Sequence, residues 1–143
     1  MPNVQQLLNV KPAATWTIPS TASVYEALEL MAQKEVGALP VVDNGQLVGI
    51  FSERDYARKV ILKGRTSKTT TVGELMSSKI FFVRADATVE QCMALMTDKH
   101  VRHLPVLSDH KLIGIISIGD LVKAIITDQA ITIQSLQDYI TGR

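Results

Sequence analysis

The sequence contains itself twice. Displaced by about 65 residues, residues 16–60 lie over residues 81–125 without a gap. Val24 falls on Val89, Leu30-Met31 on Leu95-Met96, Leu39-Pro40-Val41 on Leu104-Pro105-Val106, and Gly49-Ile50 on Gly114-Ile115. Apolar positions match in any two copies of one fold, so the polar identities are more informative. Ser52 and Asp55 fall on Ser117 and Asp120, which places Ser-x-x-Asp three residues after a glycine in both halves. A unit of about 45 residues buries too little surface to stand alone comfortably. The halves are therefore expected to pack as one cooperative module.

Both halves read alike in local structure. Residues 15–18 and 80–83 are short β-prone runs followed by turns rich in capping residues. Val24, Ala27, Leu28, Met31 and Val89, Cys92, Met93, Met96 recur at helical spacing. Residues 38–42 and 103–107 read as strands, closed by Asp43-Asn44-Gly45 and Ser108-Asp109-His110. Asn-Gly is the strongest short hairpin signal. Residues 47–51 and 112–116 return as second strands, after which Ser52 and Ser117 open helices running to about Leu62 and Thr127. The expected fold class is α/β in the α+β sense, a β-α-β-β-α unit used twice. The expected organisation is a lead-in helix within residues 1–14, ended by Pro12, then repeat 1 over 15–62 and a linker over 63–79 with a helical piece at 72–76. Repeat 2 follows over 80–127, and a C-terminal helix or tail over 128–143.

Composition removes several classes of function. Apolar residues at 46% and charged residues at 20% of a 143-residue chain are those of a folded globular domain. Fifteen Lys and Arg against 14 Asp and Glu leave a formal charge of +1, so no broad field attracts a polyanion and no nucleic acid partner is expected. The apolar runs fall far short of the ~18 residues of a membrane helix. Residues 1–10 lack the basic and apolar regions of a signal peptide, so no membrane partner is expected. Cys92 stands alone and makes no internal disulfide, which fits a reducing cytoplasm. No nucleophile elbow, phosphate loop or dinucleotide fingerprint is present, so no catalysis is expected. His100, His103 and His110 match no metal-site spacing and have no thiolate cluster beside them, so no metal is expected either.

Ser-x-x-Asp at the start of a helix has two readings. In one it is a cap: the Ser oxygen satisfies an orphan amide and the Asp suits the positive end of the helix dipole. In the other, the helix N-terminus draws an anion, the Ser hydroxyl bonds a phosphate oxygen, and the carboxylate one turn on accepts both hydroxyls of a ribose. That is nucleotide chemistry, and two copies in register shift the weight towards it. Lys59, Lys63, Arg65 and Lys68 form a basic stretch with no acid between Tyr56 and Gly73, either a solvated face or a partner for a terminal phosphate.

The doubled pattern, G-A-L-P-V-V-D then G-I-F-S-E-R-D and R-H-L-P-V-L-S then G-I-I-S-I-G-D, resembles the CBS domain family, whose members occur as tandem pairs called Bateman modules. The resemblance spans residues 15–127. It implies two units related by a pseudo-twofold axis, with two clefts that in this family commonly hold AMP, ADP, ATP, S-adenosylmethionine or a dinucleotide such as NAD. Carried over by position, it implies that Asp55 and Asp120 bind ribose hydroxyls and that Ser52 and Ser117 reach a phosphate. Adenine would lie against Thr17, Ile18, Ala38, Leu39 and Pro40 in one half, and Phe82, Val83, His103, Leu104 and Pro105 in the other. Arg54, Arg102 and His103 would meet phosphates, and Gly119, lacking a side chain, would leave room for a large group. Glu53 would repel a phosphate where the second half has Ile118, so the two sites are not expected to be equivalent.

The expected function is an adenosine-nucleotide sensor with NAD or AMP favoured as ligand. It would work as a homodimer, associating through outer helices that carry Val60, Ile61, Ile125 and Ile126, and would report to a separate effector protein. The alternative is a constitutive oligomerisation module whose motifs are only caps, and a third reading is a small enzyme acting on nucleotides.

Overall fold

The fold is described from a computed structural model covering residues 2–11 and 15–141, the side chains of residues 131 and 132 excepted. The chain divides into two compact units. A first-repeat unit comprises Ala14–Phe81 with Asp109–Leu112; a second-repeat unit comprises Met1–Ala13, Phe82–Ser108 and Ile113–Arg143.

In the first-repeat unit, Ser23 opens α2 (Val24–Lys34) by accepting from the Glu26 amide at 3.1 Å, and the helix buries Val24, Ala27 and Met31. β1 (Ala38–Asp43) and β2 (Gln46–Ser52) make an antiparallel hairpin with a register shift at Val41/Val42. Its turn takes φ of 51° at Asn44 and 77° at Gly45, the two positive values a two-residue primed turn requires. α3 (Glu53–Asp55) passes directly into a π-helical stretch, Tyr56–Ile61. Ile18, Leu39, Val41, Phe51 and Val60 close the core over the apolar face of α2, and α4 (Val72–Leu75) adds Val72 and Leu75.

The second-repeat unit rebuilds this plan. α5 (Val89–Lys99) is opened by a capping box between Thr88 and Gln91 and buries Val89, Cys92 and Met96. β3 (His103–Ser108) pairs with β4 (Lys111–Ser117), and α6 (Ile118–Thr141) follows. α1 (Val4–Val10), capped by Asn3, belongs to this unit and buries Val4 and Leu7.

The lead-in segments exchange places. α1 precedes repeat 1, yet its Val4 and Gln5 amides donate to the Ala87 and Ala85 carbonyls, each at 2.9 Å. α4 precedes repeat 2, yet its Val72 and Gly73 amides donate to Ala22 and Ser20, at 2.8 and 2.9 Å. The segments are themselves a repeat, Val4-x-x-Leu7-Leu8-x-x-Lys11 against Val72-x-x-Leu75-Met76-x-x-Lys79. The two motif glycines seat them. A Cβ on Gly49 would lie 2.6 Å from Met76 Sδ and 2.9 Å from the Ser77 carbonyl, and one on Gly114 would lie 2.6 Å from Leu8 Cδ2.

Two expectations are corrected. The first strands, 15–18 and 80–83, shrink to single parallel bridges, Ile18 with Val41 and Val83 with Val106. Extending either ladder backwards needs an amide from Pro40 or Pro105, and proline has none. The helix opened by Ser117 does not stop near Thr127 but runs to Thr141, absorbing the separate C-terminal helix, because no glycine or proline lies between Asp120 and Thr141 to end it. Pro12, taken as the stop of the first helix, lies outside the described residues. No helix among the described residues is long and apolar enough to cross a membrane.

Candidate ligand site

Each Ser-x-x-Asp folds into a reciprocal cap at the mouth of its helix. In repeat 1 the Ser52 amide and hydroxyl donate to Asp55 Oδ2 at 3.0 and 3.1 Å, and the Asp55 amide donates to Ser52 Oγ at 3.2 Å. In repeat 2 the Ser117 amide donates to Asp120 Oδ2 at 2.9 Å and the Asp120 amide to Ser117 Oγ at 3.1 Å. The preceding backbone repeats too: Glu53 N donates to Gly37 O at 3.1 Å and Ile118 N to Arg102 O at 2.9 Å.

A lysine ties each carboxylate to a backbone carbonyl, and the two lysines come from unrelated places. Lys59, one turn along the same helix, lies 3.2 Å from Asp55 Oδ1 and donates to the Leu75 carbonyl at 3.1 Å. Lys11, at the end of α1, lies 2.7 Å from Asp120 Oδ2 and donates to the Ile115 carbonyl at 2.8 Å. Burial alone would raise the Asp120 carboxyl. The hydrogen bonds from Lys11 and Ser117 and the Lys11 charge outweigh it, and the group sits below its usual value. Lys59 could have been read from its i, i+4 spacing to Asp55. Nothing in the spacing of Lys11 points to Asp120.

The two carboxylates differ in what they leave open. Both Asp55 oxygens are engaged, one by Ser52 and one by Lys59. Asp120 gathers its bonds on Oδ2, so among the described residues Oδ1 carries none. Asp120 also opens onto a cleft of about 820 Å³ between α1 and the first three turns of α6, walled by Leu7, Val10 and Ala124 and edged by Lys11, Lys123 and Thr127. Gly119 stands beside open space, since a Cβ there would meet only Ser117 Oγ at 3.6 Å.

The remaining sequence-predicted residues sort by burial. The set around Asp55 falls in the first-repeat unit and the set around Asp120 in the second. Ala38, Leu39 and Pro40, and Leu104 and Pro105, are buried, Leu39 and Leu104 fully; Ile18 and Val83 are buried at their bridges. Thr17, Phe82 and Arg102 are exposed, whereas Arg54 and His103 are half-buried. Burial pushes the Cys92 thiol up from its usual value.

Comparison with known proteins places this geometry in a family. The family model of the CBS domain matches residues 9–62 and again 72–127. A CBS-domain protein of known structure from Burkholderia ambifaria MC40-6 is 50% identical, with a TM-score of 0.86 over 90% of this chain and 96% of that one. CBS domain-containing protein CBSX3, mitochondrial, of Arabidopsis thaliana is 45% identical over 84% of this chain, which spans 61% of that protein's length. The CBS domain pair of protein MJ0100, 25% identical with a TM-score of 0.78 over 90% of this chain and 98% of that one, was solved in complex with 5'-methylthioadenosine and S-adenosyl-L-methionine.

A further structure corrects the expectation that no metal is involved. Hypoxic Response Protein I, 28% identical with a TM-score of 0.70 over 87% of this chain and 99% of that one, carries two coordinated zinc ions. Metal therefore does occur on this fold, and histidine spacing was no ground for excluding it. Ligands meet in space from elements far apart in sequence, which spacing along one chain does not count. Among the described residues of this chain, no three His, Cys, Asp or Glu side chains are grouped so as to hold an ion, so no donor set for such a metal is assembled there. The doubled caps, the seated lead-ins and both family-model matches agree: the chain belongs to the CBS-domain family, with one copy of the domain in residues 9–62 and a second in residues 72–127.

Proposed function

We propose that this chain is a regulatory module that binds an adenosine compound at Asp120, without catalysing a reaction, and works as a homodimer that signals to a separate partner. The cleft of about 820 Å³ beside Asp120 carries the reading. It is within the ~300–1,000 Å³ typical of small-molecule sites, with apolar walls at Leu7, Val10 and Ala124 and polar groups from Gln6, Lys11, Asp120, Lys123, Thr127 and Asp128. A ribose hydroxyl donating to Asp120 Oδ1 would leave the Ser117 cap intact, and Lys11 and Lys123 supply positive charge for a phosphate. The adenosine ligands of the MJ0100 domain pair support the ligand class. NAD and AMP remain the forms favoured by the sequence. Asp55, with both oxygens engaged, is the weaker site. Binding alters the protein only through unequal affinity for two arrangements, so the signal is a population shift.

The test is calorimetric titration of nucleotide-free protein with AMP, ADP, ATP, NAD, S-adenosylmethionine and 5'-methylthioadenosine. One of them is expected to bind and, at about one hundred times its Kd, to add roughly 2.7 kcal/mol of stability. Asp120→Asn should lose that binding while Asp55→Asn keeps most of it. Binding of none of the six, or unchanged affinity in Asp120→Asn, overturns the reading. Closed caps on both motifs favour a second reading, a constitutive assembly module, and the first of those outcomes would select it.

A further inference from the structure

α6 carries an apolar line that none of the other described residues covers. Val122, Ile126, Ile133, Leu136 and Ile140 remain 43%, 59%, 56%, 58% and 80% exposed. With Gln129 they follow one another at alternating steps of four and three residues, the a and d positions of a coiled coil: Ile126, Ile133 and Ile140 at a, Val122, Gln129 and Leu136 at d. At about 100° per residue, all six lie within roughly 40° of one line along the helix. Leu121, fully buried, is about 100° from that line, and Asp120 and Ala124 on the cleft are about 160° from it. The seam therefore runs opposite the cleft on the same helix.

We propose that this seam pairs with the same seam of a second copy, as a parallel, in-register two-stranded coiled coil. The proposal names the surface of the self-association proposed above and rests on that reading only for the existence of a second copy. Three observations select this occupant. The open apolar area is roughly 500 Å² per helix, about 1,000 Å² for two, the size at which a contact becomes a specific interface. From Val122 to Thr141 the charges are Lys123, Asp128 and Asp138: the two aspartates stand at c and f positions away from the seam, and Lys123, at an e position, faces the g position of Ile118 in a parallel copy, so no like charges meet across an identical pair. Isoleucine at all three a positions, with leucine at one d position, Leu136, matches the β-branched a layer that favours a parallel dimer. Gln129 sets the direction. In parallel register the two Gln129 amides face each other and can bond, whereas antiparallel pairing sets each against Ile133 and leaves it unsatisfied.

Sedimentation equilibrium of the full chain should give a dimer for the wild type and a dissociation constant raised at least about 100-fold by Ile133→Glu. Ile133 is exposed, so far-UV circular dichroism should be unchanged in that variant. Leu136→Cys should form an interchain disulfide under mild oxidation, since parallel register places the two copies side by side there. Antiparallel helices would hold them about 15 Å apart. The wild type, with only the buried Cys92, is the uncross-linked control. A monomeric wild type overturns the self-association and this surface together. A dimeric wild type in which Leu136→Cys fails to cross-link, or in which Ile133→Glu leaves the constant unchanged, overturns this surface alone.

Discussion

Lys11 and Asp120 are 109 residues apart in sequence and 2.7 Å apart in the fold. The contact fastens the end of α1 to the first turn of α6, and so fastens the start of the chain to the motif of its second repeat. Because α1 is short, this ion pair and the buried Val4 and Leu7 hold it more than its own helical propensity does.

The pair makes stability depend on pH with a defined sign. Asp120 in the folded chain ionises below its unfolded value of about 3.9, so its contribution is complete above that value and is lost as pH falls through the folded one. Lys11→Met should lower stability by about 1 kcal/mol at pH 7, as for other partly exposed pairs, and flatten the loss below about pH 5. Urea midpoints of the two proteins should converge in acid. Midpoints that stay parallel down to pH 2 would remove Lys11 from the account.

The two motif glycines should respond differently to alanine. At Gly49 the new methyl meets the Ser77 carbonyl, fixed in place by two bonds with Ile50 at 3.0 and 2.9 Å. At Gly114 it meets only the flexible end of Leu8. Gly49→Ala should cost about 1–3 kcal/mol and Gly114→Ala less than about 1, read from urea unfolding. Equal costs would mean that Met76 and Ser77 shift as freely as Leu8.

The β3–β4 turn holds a non-glycine residue where its twin holds glycine. Asp109 and His110 take φ of 50° and 66°, and His110 occupies the place of Gly45. His110→Gly should raise stability by about 0.5 kcal/mol, the left-handed penalty removed less the added freedom of the unfolded chain. His110→Ala should not. A thermal melt in which the glycine variant unfolds no later than the alanine variant would count against strain at this turn.

Much of the fold was legible in the sequence because the signals were local. Helical spacing at Val24 and Val89 marked α2 and α5, and Asn44-Gly45 marked the first hairpin. The shortness of the first strands was equally local, written in Pro40 and Pro105, but it required asking which amide the ladder would use next. The length of α6 required noticing an absence, that of any breaker after Asp120. The exchange of lead-ins was hidden because their displacement differs slightly from that of the repeats, so a gapless overlay passes over Val4 and Val72. The doubled motif singled out Ser52, Asp55, Ser117 and Asp120 as candidate site residues. It did not single out Lys11, since a contact made by tertiary folding leaves no trace in spacing. Leu39 and Leu104 belong to the core, and no pattern of apolar residues separates a wall of the core from a wall of a pocket.

α6 has 24 residues and is therefore a rod of about 36 Å. Its root is the turn that holds Asp120, and its outer half carries, besides backbone hydrogen bonds, the bond from the Gln134 amide to Asp138 at 3.0 Å. A tilt of about 10° at the root sweeps the far tip through roughly 6 Å, more than one turn of helix. A displacement too small to notice at the carboxylate thus arrives at the tip as a step that another surface can read.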